Sequence, residues 1–389
     1  MNEQIKIGSI IKQIRGVSYK PTDVREADEE NAVALLRANN IQETGLNFDD
    51  LVYIDRSMVK SEQYLRAGDI LICSSSGSKN LVGKAAYIPE DLPCSFGAFC
   101  KVVRTQTVDS HYLGQYFQSP RYRQEISEAS AGANINNIRN EHIDELTIPP
   151  HSKIEQMEIV RSLLCVNKQI DYTKQQLAKL DELVKSRFVE LFGGADYPNV
   201  LFENVCVFLR NGASIKQTKG AGGYPITRIE TLSNDVFNTD RLGYADITDL
   251  EKYQSYVLHH GDILISHINS VAYLGRAVQY RGQLDTPIIH GMNLLCARIA
   301  DSYNPTYIEW FFKTPMAKEY ISTITKKAVN QASITTSDLK KMQVPNPPKG
   351  LQDQFATFVE QIDKSKLVVQ QSLEKLETLK KSLMQQYFG

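Results

Sequence analysis

The sequence predicts an α+β protein in which two similar α/β globular domains are separated by two long antiparallel helices that form a coiled coil. Three observations lead to this fold class. The chain of 389 residues contains an internal repeat, each copy opens with short β-rich runs, and each copy closes with a long apolar heptad pattern. Because the copies are similar, we expect an internal pseudo-two-fold symmetry.

The repeat extends over nearly the whole chain. The sequence Gly-Asp-Ile-Leu-Ile at 68–72 recurs at 261–265, and both copies end in Phe-Gly, at 192–193 and 388–389. A chain of this kind can present two similar faces. That suits a target with its own approximate two-fold symmetry, and duplex DNA is the commonest such target.

The repeat divides the chain into four segments. We predict globular domains at residues 1–150 and 197–348, because short β-rich runs there are separated by clusters of Gly, Ser and Asn. In each domain a helical stretch, a polar loop and a short strand ending in proline follow. The segments 151–196 and 349–389 are predicted to be the two long helices.

The heptad pattern predicts how the long helices are used. Ser152 and Glu155 fit a capping box directly after two prolines, so the first helix is expected to begin there. A single apolar stripe on a long helix needs a partner, and the other copy carries the equivalent stripe, so we expect the two helices to pair. Two separate surface helices, each packed on its own domain, are the alternative. The predicted helix-pairing residues are Leu163, Val166, Ile170, Leu177, Leu180, Val184, Phe188, Leu191, Phe355, Val359, Ile362, Val369, Leu373, Leu376, Leu379 and Leu383.

One difference between the copies lies within the predicted long helices. The interval from Ile170 to Phe192 is four residues shorter than the interval from Ile362 to Phe388. Four residues correspond to about one helical turn, or ~6 Å. A heptad seam can absorb such an insertion, so we interpret the helices as a spacer of adjustable length.

The composition indicates an ordinary globular protein, with 42% hydrophobic and 23% charged residues and a net charge of −1. The six cysteines form no C-x-x-C pair and do not correspond between the copies, so we expect free thiols in a reducing cytoplasm and no metal site. No apolar run approaches the roughly 18 residues of a membrane helix. If the protein binds nucleic acid, its basic groups are concentrated on one face or partner chains supply much of the phosphate attraction.

Several short strings resemble catalytic motifs, but each has a simpler explanation. The string Asn-Pro-Pro-Lys at 346–349 lacks the aromatic residue with which adenine methyltransferases stack a flipped base. The glycines after Phe192 follow a helix rather than a strand, and the spacing from Gly77 to Lys84 is wrong for a phosphate-binding loop. The His259-His260 pair has no nearby ligand partner. We therefore expect no catalytic residue and no cofactor bound by this chain.

The repeat resembles the specificity subunit of type I restriction–modification systems, over essentially the whole chain. Both copies contain the same features in the same order: a strand-turn ending in Gly16 or Gly212, an arginine at 37 or 228, the Gly-Asp-Ile-Leu-Ile strand, a Gly-basic-Ala turn, a polar loop, prolines, a glutamine and the long helix. The resemblance implies that each globular domain is a target recognition domain that reads one half of a bipartite, asymmetric DNA site.

The same resemblance implies the partners of the chain. The helices would set the spacing between half-sites and dock two methyltransferase subunits that carry S-adenosylmethionine. Restriction and translocase subunits, which use ATP and Mg, would complete the assembly. A coiled-coil scaffold that binds only proteins and a self-contained DNA methyltransferase are the two alternative functions.

Position in the repeat gives candidate DNA contacts. The segments that follow the Gly-Asp-Ile-Leu-Ile strands share a frame but differ in side chains, and small polar groups can pair with base edges in the major groove. The matched arginines are candidates for phosphate contact, with a structural ion pair as the alternative. For the others, a solvated turn or capping of the next helix is the alternative. The candidates are Ser74, Ser75, Ser76, Ser78, Lys79, Asn80, Arg37, Lys20, Asn134 and Asn136 in the first copy and Ser266, His267, Asn269, Ser270, Tyr273, Arg228, Lys216, Lys219, Asn330 and Gln331 in the second.

Overall fold

The computed structural model describes residues 4–42, 45–78, 80–130, 137–194, 196–218, 222–328 and 331–389. The chain forms two compact units: unit 1 is Met1–Gln175 with Val369–Gly389, and unit 2 is Gln176–Val368. Each unit therefore combines one globular part with portions of both long helices. Within the described part of the chain, no helix has the length and apolar character needed to cross a bilayer.

Unit 1 is built from short strands and three short helices, followed by a long one. Its strands are β1 Ile5–Lys6, β2 Ile11–Arg15, β3 Val24–Arg25, β4 Ala32–Leu36, β5 Ile41–Gln42, β6 Gly45–Leu46, β7 Val52–Asp55, β8 Asp69–Cys73, β9 Ala85–Tyr87, β10 Ser95–Phe96, β11 Cys100–Thr105 and β12 Thr147–Ile148. Its helices are α1 Ser110–Phe117, α2 Pro120–Ser130, α3 Asn140–Asp144 and the first part of α4 Lys153–Phe192.

Unit 2 has a similar order of elements. Its strands are β13 Asn199–Leu201, β14 Cys206–Asn211, β15 Gln217–Thr218, β16 Tyr224–Ile226, β17 Leu232–Ser233, β18 Val236–Phe237, β19 Gly243–Ala245, β20 Ile263–Ser266, β21 Ile268–Asn269, β22 Ala277–Gln279, β23 Leu294–Ile299, β24 Lys326–Lys327, β25 Ala332–Ser333 and β26 Gln343–Pro345. Its helices are α5 Phe202–Val205, α6 Pro305–Phe311, α7 Pro315–Ile324, α8 Thr336–Lys340 and the first part of α9 Lys349–Phe388.

The repeated strand occupies an inner position of the central sheet in both units. The sheet order is β2-β11-β8-β9 in unit 1 and β14-β23-β20-β22 in unit 2, and each of these neighbouring pairs is antiparallel. Ile70 and Ile72 enter one apolar cluster, whereas Leu71 enters another on the opposite face. A strand covered on both faces needs a continuous apolar run, which explains the Ile-Leu-Ile sequence. The α+β repeat is thereby confirmed.

Two matched glycines are required by close backbone contact. A Cβ atom on Gly16 would lie 2.1 Å from the carbonyl oxygen of Gly97, and one on Gly212 would lie 2.3 Å from that of Gly291. Only a residue without a side chain fits where two backbone segments approach so closely. The glycine that ends the early strand-turn in each copy is therefore explained by packing.

A matched glutamine joins each long helix to its globular part. In unit 1 the Asp109 backbone N–H donates to Gln156 Oε1 at 3.1 Å, and in unit 2 the Asn304 N–H donates to Gln352 Oε1 at 2.8 Å. Each glutamine also donates its amide to a carbonyl just before the helix. Gln156 and Gln352 are buried, so the two bonds fix the start of the helix on the domain.

The long helices pack against each other within each unit. In unit 2, Phe188 and Phe355 have ring centroids 5.2 Å apart, and Asp181 forms an ion pair with Lys366. In unit 1, Lys174 Nζ lies 3.8 Å from Glu377 Oε1. In unit 2, Asp181 precedes Phe188 along α4, whereas its partner Lys366 follows Phe355 along α9. The two helices therefore pack antiparallel there. Predicted seam residues that are buried are Leu163, Val166, Ile170, Val184, Phe188, Phe355, Val359, Ile362 and Leu373.

The seam differs from the prediction near the end of α9. Leu379 is 45% exposed, and Lys380 beside it is partly buried. Met384 and Phe388, which the prediction omitted, are buried instead. The apolar stripe therefore shifts around the helix over its last three turns. The remaining predicted residues, which are partly buried, are Leu177, Leu180, Leu191, Val369, Leu376 and Leu383.

The four-residue difference between the two intervals does not make one helix longer than the other. Both α4 and α9 contain 40 residues, and they begin and end at equivalent positions of the repeat. The Ile170 and Ile362 sites are therefore displaced by about one turn. The intervals differ because these two isoleucines are not equivalent, rather than because one helix is longer.

Candidate nucleic-acid interface

An ion pair anchors the start of the repeated strand in each unit. The Asp69 carboxylate is buried and accepts hydrogen bonds from Arg104 Nε and Nη2, both at 2.7 Å. In unit 2, Arg298 donates to both oxygens of buried Asp262 at 2.8 Å. These hydrogen bonds raise the pKa of both guanidinium groups. The bidentate geometry fixes the strand that leads to the candidate site, a role for the matched aspartate that the sequence did not indicate.

The predicted polar segments are brought together in unit 1. The backbone of Ser75 bridges Asn137, and the Ile138 N–H donates to the Ser74 carbonyl at 2.7 Å. The segment after β8 therefore lies against the end of the polar loop that precedes α3. Asn137 and Ile138, which follow the loop candidates in the chain, are thus in contact with the candidates Ser74 and Ser75.

Unit 2 repeats this arrangement with a more complete sheet. Ile268 pairs with Ser333 and Asn269 with Ala332, so β21 and β25 are neighbouring antiparallel strands. The Ile334 N–H donates to the His267 carbonyl at 3.0 Å, which matches the Ile138 bond in unit 1. The same frame thus carries different side chains in the two units.

Burial separates the serine and asparagine candidates of unit 1. Ser74 is buried, and its hydroxyl donates to the Phe99 carbonyl at 2.9 Å. Ser75 and Ser76 are partly buried, whereas Ser78 and Asn80 are exposed. Exposed groups can meet a partner without rearrangement, so Ser78 and Asn80 are the better placed of these candidates.

The candidates of unit 2 divide in the same way. Ser266 and His267 are buried, Asn269 is partly buried, and Ser270 and Tyr273 are exposed. The Arg276 guanidinium lies over the Tyr273 ring, 4.8 Å from its centroid. An exposed aromatic ring beside a cation can stack on a base or contact a sugar. Tyr273, the most exposed large side chain among these candidates, is therefore available for such a contact.

His267 has an unusual environment for a surface-loop residue. Burial lowers its pKa, so the imidazole is neutral at neutral pH. Its Nδ1 atom is buried and has no hydrogen-bond partner in the described part of the chain. A buried unpaired nitrogen costs free energy, and neither feature was evident from the sequence.

The matched arginines have partners within their own units. Arg37 Nη2 donates to the Asp50 carboxylate and to its carbonyl, both at 2.7 Å. Arg228 Nε donates to Gln217 Oε1 at 2.6 Å. The ion pair named as the alternative for Arg37 is thus present. Phosphate contact by either arginine stays a prediction.

The remaining candidates are lysines and loop amides. Lys20 and Gln331 are exposed, and Lys216 Nζ lies 4.0 Å from Asp246 Oδ2 in a weak surface pair. Five candidates lie outside the described residues, namely Lys79, Asn134, Asn136, Lys219 and Asn330. Over the described ranges, no cluster of three or more His, Cys, Asp or Glu side chains is arranged to hold a metal ion.

An exposed phenylalanine lies beside the unit 1 candidates and was missed by the sequence analysis. Phe99 is 70% exposed, and its carbonyl accepts the backbone N–H groups of Ser74 and Ser75 at 2.9 and 3.0 Å. Met292 occupies the corresponding turn of unit 2 and is also exposed. An apolar side chain at the same turn in both units would have been the sequence signal.

Two similar units, each with a buried strand that leads into a polar segment of different composition, define a two-domain recognition protein. The family described as type I restriction modification DNA specificity domain matches the chain twice, at residues 2–182 and 200–378. The chain therefore belongs to the family of type I restriction–modification DNA specificity subunits. The family membership confirms the resemblance and the prediction that the chain is not itself an enzyme.

Relatives are similar over nearly the whole chain. The type I restriction enzyme EcoKI specificity subunit of Escherichia coli (strain K12) is 30% identical over 405 residues, covering 98% of this chain and 87% of the relative. The StySPI specificity subunit of Salmonella potsdam is 27% identical over 411 residues, with the same coverage.

Solved structures support the fold. The type I restriction–modification S subunit from M. genitalium has a TM-score of 0.56 at 13% identity, covering 100% of this chain and 96% of that one. A structure described for assembly and conformational transition of the type I R-M system has a TM-score of 0.53 at 17% identity, covering 97% of both chains.

Proposed function

We propose that this chain reads a bipartite, asymmetric DNA site within a type I restriction–modification complex, with one half-site read by each unit. One observation carries the proposal. In both units, the polar segment after the buried strand lies against the polar segment before α3 or α8. The backbone arrangement is shared while the side chains differ, as is required of two domains that recognise different base sequences. The relatives are specificity subunits of restriction enzymes, which supports this assignment.

The proposal includes two methyltransferase subunits docked on the long helices. Several apolar side chains on α4 point to solvent: Ile154 and Met157 lie one turn apart, and Leu164 and Tyr172 continue the same stripe. Exposed apolar stripes of this kind mark protein interfaces. The partners would bring S-adenosylmethionine for adenine methylation, and restriction and translocase subunits using ATP and Mg would complete a cytoplasmic assembly.

Genome-wide mapping of methylated adenines, in cells with and without this chain, tests the function directly. The expected result is one bipartite sequence that is methylated only when the chain is present. A gel shift of the chain with its methyltransferase partner on the same DNA is the second measurement. Absence of any sequence-specific shift would favour a protein-binding scaffold. Methyl transfer by the chain alone would favour a self-contained methyltransferase.

The proposed spacing role of the helices has its own test. Deleting four residues within 363–376 removes about one turn of α9, or ~6 Å, which corresponds to roughly two base pairs at 3.4 Å each. We expect the permitted spacer to change while both half-sites stay the same. An altered half-site, or an unchanged spacer, would contradict the role of the helices as a ruler.

A further inference from the structure

The short strand β24 carries two neighbouring lysines at the edge of the candidate site of unit 2. The order of its sheet is β21-β25-β24, so β24 follows the strand that pairs with the candidate segment. Lys326 pairs with Ser333 and Lys327 with Ala332. Both lysines are exposed. Two positive charges therefore lie on the open side of the strand β25.

The sheet fixes the distance between these lysines and β21, the strand that carries the candidate Asn269. Ile268, Ser333 and Lys326 form one cross-strand row, because β21 and β24 pair with the same residue of β25. Neighbouring strands are about 4.8 Å apart, so the Lys326 backbone lies about 10 Å from that of Ile268. This offset is comparable to the width of the major groove, about 12 Å. If β21 contacts base edges in the major groove, the lysines of β24 therefore lie near the sugar–phosphate backbone.

The charges are available to a ligand. Lys326 Nζ lies 3.9 Å from Asp338 Oδ2, but its side chain is 68% exposed. A pair so open to water is weak, and Asp338 also accepts a 2.6 Å hydrogen bond from the Thr335 hydroxyl. For Lys327 the structure gives no acidic partner within its described ranges. An incoming phosphate would therefore have to displace only the weak contact between Lys326 and Asp338.

From these observations we propose that Lys326 and Lys327 bind the DNA phosphates that flank the half-site read by unit 2. The proposal rests on the proposed function. These lysines position the duplex and carry no sequence information, because phosphate contacts are the same for every base pair. Lysine at a strand edge also prevents edge-to-edge aggregation, so the experiment separates that role from DNA binding.

The test uses the complex with its methyltransferase partner and fluorescent duplexes, one with the mapped site and one without. Lys326 and Lys327 are changed together to Glu, which keeps the strand edge charged but repels phosphate, and together to Gln, which removes the charge. A matched control places Glu at Lys252 and Lys318, which are exposed in the same unit on other elements. Thermal unfolding checks that each variant is folded.

We expect both substitutions to weaken binding to both duplexes, by about tenfold or more for the Glu pair. Because each neutralised phosphate contributes about 0.9 to the slope of log affinity against log salt, the Gln pair should lower that slope by nearly 2. The control pair should bind within about twofold of the wild-type complex. The methylated sequence should be unchanged in cells.

Two results would overturn the proposal. One is an unchanged salt slope with unchanged affinity, and the other is a changed half-site sequence, which would make the lysines base readers. If the variants do not fold, acetylation of wild-type lysines decides the question: DNA should protect Lys326 and Lys327 but not Lys252. If the wild-type complex itself shows no sequence-specific binding, the proposed function fails instead.

Discussion

Unit 1 buries a lysine where unit 2 buries a leucine. Lys101 on β11 donates from Nζ to Asn140 Oδ1 at 2.8 Å and to Gln13 Oε1 at 3.1 Å. By sheet register the corresponding residue of unit 2 is Leu295 on β23, and it lies in the same apolar cluster as Leu209, which occupies the position of Gln13. Helix α3 is therefore held by a polar network, whereas the same surface of unit 2 is apolar.

The two units keep one interaction and change the other. The ion pair of the repeated strand, Asp69 with Arg104 or Asp262 with Arg298, has nearly the same geometry in both. The contacts that support the polar loop differ between the two units, because they are polar around Lys101 and apolar around Leu295. The frame of the strand is thus independent of the chemistry that supports the loop, which allows one fold to present different recognition surfaces. Four predictions can test this comparison.

The largest effect is expected at the phenylalanines that end the helices. Phe388 is fully buried, and its ring centroid lies 5.3 Å from that of Tyr112, whereas Phe192 is only partly buried against Tyr307 at 4.8 Å. We expect Phe388→Ala to lower the free energy of unfolding by about 4 kcal/mol and Phe192→Ala by about half as much. Denaturant unfolding with hydrogen exchange in each unit measures the difference. Equal losses would show that the two helix ends are packed alike.

The next effect concerns the shared ion pair. Asp69→Asn or Asp262→Asn leaves a partly buried arginine without its carboxylate, and we expect each to cost about 3 kcal/mol. The losses should be equal, and each should speed hydrogen exchange in its own central sheet. Asp246→Asn is the control, because its pair with Lys216 is exposed and should contribute less than about 0.5 kcal/mol. A clear difference between Asp69 and Asp262 would break the equivalence of the two anchors.

These comparisons also show what the sequence could predict. The inner strand and the helix pairing were predictable, because continuous apolar runs and heptads are local patterns. The partner of Asp69 was not, because Arg104 lies far along the chain and nothing in the sequence specifies their contact. Leu379 looked like a seam residue by spacing alone, but the stripe shifts to Met384.

The candidate site was predictable only in outline. Matching polar segments identified the region, since they occur at the same place in both copies. The sequence could not tell which small polar side chains face inward, and Ser74 and His267 are buried where exposure was expected. Short polar residues fit both a solvated turn and a strand end, so their orientation depends on the tertiary contacts.

The buried lysine predicts a difference in pH dependence. Burial lowers the pKa of Lys101 from 10.5 to about 8. The unfolded chain then binds more protons between about pH 8 and 10.5, so this lysine makes the fold more stable as pH rises through that window. Buried Cys73, whose pKa burial raises to about 11, has the opposite effect above about pH 9.

The measurement is therefore a difference between two proteins that share the cysteines. From pH 8 to 10 the wild-type protein should gain about 2 kcal/mol relative to Lys101→Leu, which copies unit 2. Urea unfolding at both pH values gives this number. The exposed Lys60, changed to Leu, is the control and should follow the wild type. A parallel pH dependence for Lys101→Leu would mean that the amine is hydrated in the folded state.

The smallest effect distinguishes two equivalent tyrosines. The Tyr307 hydroxyl donates to the Pro345 carbonyl at 2.8 Å, whereas the Tyr112 hydroxyl lies 3.3 Å from the Pro149 carbonyl and 2.8 Å from His151 Nδ1. We expect Tyr307→Phe to cost about 1 kcal/mol and Tyr112→Phe about 1.5 kcal/mol, because the second change also leaves an imidazole nitrogen unpaired. Urea midpoints at neutral pH compare them. If Tyr307→Phe caused the larger loss of stability, the shorter hydrogen bond to the proline carbonyl would be the more important one. His151 would then lie near the Tyr112 hydroxyl without a stabilising hydrogen bond to it.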